Sequence, residues 1–379
     1  MSKLGQIIRQ MIAEEGPMPL DRYMALCLGH PELGYYMTRD PLGEKGDFTT
    51  APEISQVFGE LIGVWVAQVW QSMGSPRHFA LVELGPGRGT LMADVLRVLT
   101  KVENCRTSAD VNFVETSPVL RAAQQQRVPD ATWHHTVASL PARPTIVLAN
   151  EFFDALPIRQ FERQGGHVLE RCIGLKGEAL EIGRVPYPVA LPLRGEGLYE
   201  DPTIRNAVAR QVADLIATQG GAALVVDYGH VRSAMGDTLQ AMIAHRHCPI
   251  THSPGEADIT SHVDFEALGR AFAEGGTRPV GIMPQGDFLN AMGLEARTQV
   301  LARTIEGDAR SQLLAATERL AHPAQMGHLF QVMAVTSAGL PPPYPFGAAR
   351  LTQRPSDFPA SPTAFLPVAA ATPPAFSPR

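Results

Sequence analysis

Leu81-Val82-Glu83-Leu84-Gly85-Pro86-Gly87-Arg88-Gly89-Thr90-Leu91 decides how this chain is read. The apolar run 79–82 has the length and composition of a buried strand, and three glycines at alternate positions follow it. Leu91, Met92, Val95, Leu96 and Leu99 then repeat with helical spacing. Strand, glycine-rich turn and helix together form the entry to a nucleotide-type site. Glycine lets backbone approach a ligand closely, and a helix N-terminus presents free N–H groups.

The spacing narrows the ligand. A dinucleotide turn reads G-x-G-x-x-G, whereas this one reads Glu83-x-Gly85-x-Gly87-x-Gly89. That pattern resembles the first motif of class I S-adenosylmethionine methyltransferases. The acid suits such a ligand, which carries an amino group and a sulfonium and has no pyrophosphate to neutralise.

Working outward, residues 4–28 have the pattern of two short amphipathic helices stopped by Gly16-Pro17, followed by an aromatic turn at Tyr35-Tyr36. Gly46-Asp47-Phe48-Thr49-Thr50-Ala51-Pro52-Glu53 then opens a long helix to about Met73. Thr50 and Glu53 have capping-box spacing with Pro52 in the first turn, which is a purely structural account of the motif. Gly59 and Gly63 on that helix mark close packing against another element.

A second strand at 111–114 ends in Glu115-Thr116-Ser117-Pro118. In a doubly wound sheet an acid at this strand end faces the crevice and accepts from both ribose hydroxyls; as an alternative, Glu115 is a first-turn helix acid. Short and longer strands follow at 132–134 and 145–149, the latter running into Asn150-Glu151-Phe152-Phe153-Asp154-Ala155-Leu156-Pro157. Short strand-like pieces with glycine turns occupy 159–201. Next come a helix at 203–218, a strand at 222–226 ending in Asp227-Tyr228, and a polar, loop-like region over 231–257. Two further strands, 277–282 and 330–335, bracket helices near 284–320. This alternation predicts an α/β fold with a mainly parallel, Rossmann-like sheet. Three regions are expected: an N-terminal helical extension over 1–75, a core over 76–338 with an insertion at about 159–202, and a Pro-rich tail over 339–379.

Methyl transfer is an in-line displacement, so the protein positions the nucleophile and manages its proton. Catalytic groups belong at the carboxyl ends of strands. The candidates are Asn150, Glu151, Asp154 and Asp227, with Phe152 or Phe153 walling the methyl group. Each has a structural alternative: Asn150 as a strand end, Asp154 as a helix cap, the Phe pair as core, Asp227 as a turn former. Glu83, Gly85, Pro86, Gly87 and Gly89 are the candidates for the methionine end of the ligand, and Glu115 for the ribose. His245, His247, Cys248 and His252 match no metal spacing, and Asp258 and His262 are four apart where a cap is as good an account.

The formal charge of −6 offers no footprint for nucleic acid. Four scattered cysteines suggest no disulfide framework, and no apolar run is long enough to span a bilayer.

The set Gly46 to Glu53, Glu83 to Gly89, Asn150 to Pro157, Val226-Asp227-Tyr228-Gly229 and Asp258 to Phe265 resembles, in order and spacing, the MidA family of S-adenosylmethionine-dependent methyltransferases. That family includes a mitochondrial complex I assembly factor that methylates an arginine. The resemblance covers residues 1–338. It implies a class I core, protein-arginine N-methylation, and a 49 kDa-type subunit of NADH:ubiquinone oxidoreductase as the target. It also implies that the Gly46 to Glu53 loop, with Asp47, Thr49 and Thr50 in it, lines the ligand or substrate site. The first helix starts almost at Met1 and carries Glu14 and Glu15, unlike a transit peptide, so a bacterial, cytoplasmic protein is expected. A second copy of the chain is a candidate partner. The rival readings are a ligand-binding assembly chaperone with little turnover and a nicotinamide-dependent dehydrogenase.

Overall fold

The computed structural model describes residues 2–41, 49–188 and 190–347. Eight strands form the central sheet, in the order Arg278–Pro284, Phe330–Thr336, Gly221–His230, Thr145–Asn150, Phe79–Leu84, Ala109–Val114 and Thr132–His134, with Val263–Asp264 beside the end of Gly221–His230. Phe330–Thr336 runs antiparallel to both neighbours, and the other pairings are parallel. The chain builds outward from Phe79–Leu84 through Ala109–Val114 to Thr132–His134, then returns to lay Thr145–Asn150 on its other side. The crevice where this order reverses lies between the ends of Phe79–Leu84 and Thr145–Asn150, where open α/β sheets bind ligands.

Every residue of Phe79–Leu84 is buried, because successive side chains point to opposite faces and both faces are covered. Phe79 and Leu81 join Ile146, Leu148 and Leu224 in a core under the helices Gln56–Ser72 and Thr90–Leu99. Ala80, Val82 and Leu84 join Val147, Ala149 and Val225 under Thr203–Gln219 and Phe265–Glu274. A Cβ on Gly59 would lie 2.5 Å from Asp94 Cβ and one on Gly63 2.8 Å from Val98 Cβ, so the two glycines let the helices Gln56–Ser72 and Thr90–Leu99 meet.

A second, antiparallel sheet assembles Met18–Pro19, His167–Lys176, Arg159–Gln164, Gly197–Asp201 and Ala179–Pro186. The helices Lys3–Glu15 and Leu20–Gly29 share a third core with it through Ile8, Met24, Ile173 and Leu180.

Three expectations are corrected. The stretch opening at Thr50 does not run as one helix: Ala51–Ile54 ends at Ser55, which is extended and caps a new helix, Gln56–Ser72, by accepting from Val57 N. Thr50 makes no side-chain cap, so the capping box does not form. Region 231–257 is not simply loop, since Gln240–Ile243 and Arg246–Cys248 form a hairpin that also pairs with Asp258–Thr260. Its turn residues Ala244 and His245 both have positive φ, the geometry of a type I′ turn, without the Asn-Gly that signals one in sequence. At the start of the Pro-rich stretch, Leu340 and Phe346 are buried in the first core. Among the described residues no helix is long and apolar enough to cross a membrane.

Candidate active site

The carboxyl ends of Phe79–Leu84, Ala109–Val114 and Thr145–Asn150 open into a cavity of about 450 Å³. Glu83, Gly85, Pro86, Gly87, Glu115, Asn150, Glu151 and Thr50 line it, so the fold gathers eight of the expected residues around one space. Asp47 lies outside the described residues.

Local geometry explains the glycines. Gly85, Gly87 and Gly89 have φ of 61°, 54° and 79°, a left-handed conformation that a side chain resists. A Cβ on Gly85 would also lie 2.9 Å from the Phe152 ring. Gly89 lines no part of the cavity; it is the N-cap of Thr90–Leu99, where its conformation turns the chain into the helix.

Glu83 is 2% exposed, and burial holds its carboxyl well above the usual range. Its Oε2 is buried without a hydrogen-bond partner, which leaves the carboxyl with unused capacity beside the cavity that the residue lines. Glu115 Oε1 accepts from Thr116 N and Ser117 N, both at 2.7 Å, and its Oε2 from Gln124 Nε2 at 3.1 Å. A carboxylate has about four acceptor positions, so capacity remains toward the cavity. It is not a first-turn helix acid: Ser117 caps Pro118–Arg127 by accepting from Leu120 N at 3.2 Å.

The third strand end brings Asn150 and Glu151 to the cavity wall. Glu151 has φ 50°, an unfavourable value for a residue with a long side chain. Its Oε1 accepts from Ala51 N at 3.1 Å and Asn150 Nδ2 at 3.2 Å. Burial, with the charge of Asp154 adding, pushes its carboxyl up to about 8. Asn150 Oδ1 is a second buried acceptor without a partner. Phe152 lines the cavity, while Phe153 is core and meets Phe272 edge-on.

Asp154 and Asp227 do not line the cavity, contrary to the expectation for both. Asp227 is fully buried; its Oδ2 accepts from Phe153 N at 3.0 Å and Asp154 N at 3.2 Å, and its Oδ1 from Tyr228 N at 3.0 Å. With three backbone donors engaged it braces the loop after Thr145–Asn150. Asp154 belongs to that loop and is itself buried, and burial raises its carboxyl against the opposing pull of the Tyr228 hydroxyl and the Arg205 guanidinium. Thr49 is also outside the lining.

Sequence reasoning missed several contributors. Glu53 faces the cavity and ties its segment to the glycine turn, accepting from Thr90 Oγ1 and from Arg88 Nη1, the latter at 3.5 Å. The resemblance placed its segment at the site, while capping-box spacing alone made Glu53 a helix acid. Tyr36 lines the cavity and donates to Asp258 Oδ1 at 2.8 Å. Arg205, 2% exposed, donates to the carbonyls of Asp154 at 2.9 Å, Ser261 at 3.0 Å and His262 at 2.7 Å. It joins the loop to the segment beyond Asp258–Thr260, a role with no sequence signal.

The residues present fit S-adenosylmethionine: the glycine turn admits close backbone approach, the orphaned Glu83 oxygen suits a cationic amino group, and Glu115 suits a diol. Residues 61–283 match the family described as "Putative S-adenosyl-L-methionine-dependent methyltransferase". The chain is 38% identical to the Drosophila melanogaster "Protein arginine methyltransferase NDUFAF7 homolog, mitochondrial", over 88% of this chain and 84% of the relative. It is 35% identical to the Homo sapiens "Protein arginine methyltransferase NDUFAF7, mitochondrial", over 86% and 81%. Among solved structures, a candidate methyl transferase from Burkholderia thailandensis bound to S-adenosyl-homocysteine superposes with a TM-score of 0.77 at 28% identity, covering 88% of this chain and 91% of that one. Fold, cavity and these likenesses agree, and they set the dehydrogenase reading aside: the chain belongs to the family of S-adenosylmethionine-dependent methyltransferases, with a class I fold and S-adenosylmethionine as its cofactor.

Proposed function

We propose that the chain N-methylates an arginine of a protein substrate, a 49 kDa-type subunit of respiratory complex I, and so supports assembly of that complex. The observation that carries this reading is Glu151. It lines the cavity with a strained backbone and a carboxyl pushed up to about 8. A guanidinium is fully protonated at neutral pH and must lose a proton to become a methylated product. A base with its own proton affinity near the operating pH is suited to that task.

The bound cofactor supplies an electrophilic methyl group. Glu83 and the turn 85–87 hold its methionine end and Glu115 its ribose. Glu151 orients the guanidinium and accepts its proton, with Asn150 Oδ1 accepting a second N–H. Asp154 sets the field around Glu151, and Asp227 and Arg205 keep the loop in place. The resemblance of the motif set to a family containing a complex I assembly factor supports the target, and the likeness to protein arginine methyltransferases supports arginine as the residue.

The test is methyl transfer from labelled S-adenosylmethionine to purified complex I subunits, with the modified residue located by peptide mass spectrometry. Methyl-arginine formed by the wild type and lost in Glu151→Gln is the expected result. Cofactor binding with no methylated product would favour the assembly-chaperone reading.

A further inference from the structure

One buried side chain joins the two halves of the cofactor cradle. Gln124, on the helix Pro118–Arg127, is fully buried. Its Nε2 donates to Gly87 O at 2.7 Å and to Glu115 Oε2 at 3.1 Å, and its Oε1 accepts from Trp133 Nε1 at 2.8 Å. The partners fix the orientation of the amide, because a carbonyl and a carboxylate only accept and an indole N–H only donates. Gln is the side chain of this length that supplies two donors and one acceptor in a plane. Gly87 and Glu115 lie just past the ends of two adjacent, paired strands whose last bond is Gly85 N to Val114 O at 3.0 Å, and Gln124 adds a side-chain bridge between them beyond that ladder.

The geometry points to Gln124 as a positioning residue for the cofactor, holding the Glu115 carboxylate and the Gly87 peptide in the relative placement that the ribose and the methionine end of one cofactor molecule require. This rests on the reading of Glu115 as the ribose acid. With Thr116 N and Ser117 N on Oε1 and Gln124 on Oε2, three of the roughly four acceptor positions of Glu115 are engaged, and Gln124 thereby sets the direction in which the remaining one, on Oε2, is offered to the ligand. It is among the interactions that pull the Glu115 carboxyl back toward its ionised form against burial. Trp133 completes the arrangement: its indole fixes the amide oxygen while its ring meets Phe113 edge-on.

The test measures S-adenosylhomocysteine binding to the full chain by titration calorimetry, for wild type, Gln124→Met, Glu115→Gln and the double variant. Each single change is expected to weaken binding by about 10- to 100-fold, the scale of a lost hydrogen bond to a charged group. The double variant is expected to lose clearly less than the product of the two single losses, because Gln124 acts in part through Glu115. Additive losses, or a Gln124→Met variant that binds like wild type, would overturn the inference. If Glu115→Gln binds like wild type, the ribose assignment itself has failed. Gln124→Glu supplies an independent check should Gln124→Met not fold. It offers at most one donor to two acceptors, and none once ionised, so its affinity should lie below that of wild type and fall further as the pH rises. Equal affinity of Gln124→Glu and wild type at the higher pH would also overturn it.

Discussion

Glu151→Gln should make the protein more stable and far less active, and both effects follow from one carboxyl. In the folded chain that carboxyl titrates at about 8, against an ordinary value of 4.5. Between these two values the folded state keeps a proton that the unfolded state releases, so stability is lost as pH rises through this window. Worked from the shift, the cost is about 2 kcal/mol at pH 6 and about 3 kcal/mol at pH 7, reaching a plateau above pH 8. Gln is isosteric with the protonated acid and still accepts from Ala51 N and Asn150 Nδ2, so the substitution removes the cost without breaking the contacts. Thermal melts from pH 4.5 to 8 should show no gap at the acid end and a variant melting higher by several degrees at neutral pH. Methyl transfer should fall by about 100-fold or more, the contribution of a positioned base. A variant less stable than wild type at pH 7, or a gap independent of pH, would refute the argument that burial raises this carboxyl.

Four further outcomes follow from the same geometry. In the wild type, log kcat/KM should rise with nearly unit slope from pH 6 to 7 and level off above about pH 8, since the ionised Glu151 is the active form; a flat profile would count against Glu151 as base. Gly85→Ala forces a Cβ into left-handed backbone 2.9 Å from the Phe152 ring, so calorimetry should show S-adenosylhomocysteine binding weakened by more than about tenfold. Asp227→Asn places an N–H donor among three backbone donors; it should destabilise by about 2 kcal/mol in urea and reduce kcat more than cofactor affinity. Ser55→Ala removes the cap of Gln56–Ser72 and should cost about 1 kcal/mol in the same melts while KM for cofactor is unchanged.

The sequence by itself determined the alternation of strands and helices, because apolar runs such as 79–82 and 146–149 and the helical repeat after Gly89 are local signals. It also determined the cofactor class, since three glycines that must adopt positive φ, preceded by an acid, are legible as a spacing. Strand ends marked Glu115, Asn150 and Glu151 correctly as cavity residues, because a parallel sheet places all its carboxyl ends on one side. What only the tertiary structure decided was which way each polar side chain faces. Asp227 occupies a strand end as Glu151 does, yet three backbone N–H groups more than seventy residues away or adjacent to it claim its oxygens. Glu53 looked like a helix acid until the turn 85–90 was brought against it, and Gln124 and Arg205 looked like ordinary helix residues. Burial and distant partners create those roles, and neither is encoded in a residue's neighbours along the chain. The raised carboxyl of Glu151 belongs to the same class, since its cause is the exclusion of water and the proximity of Asp154 once the loop closes.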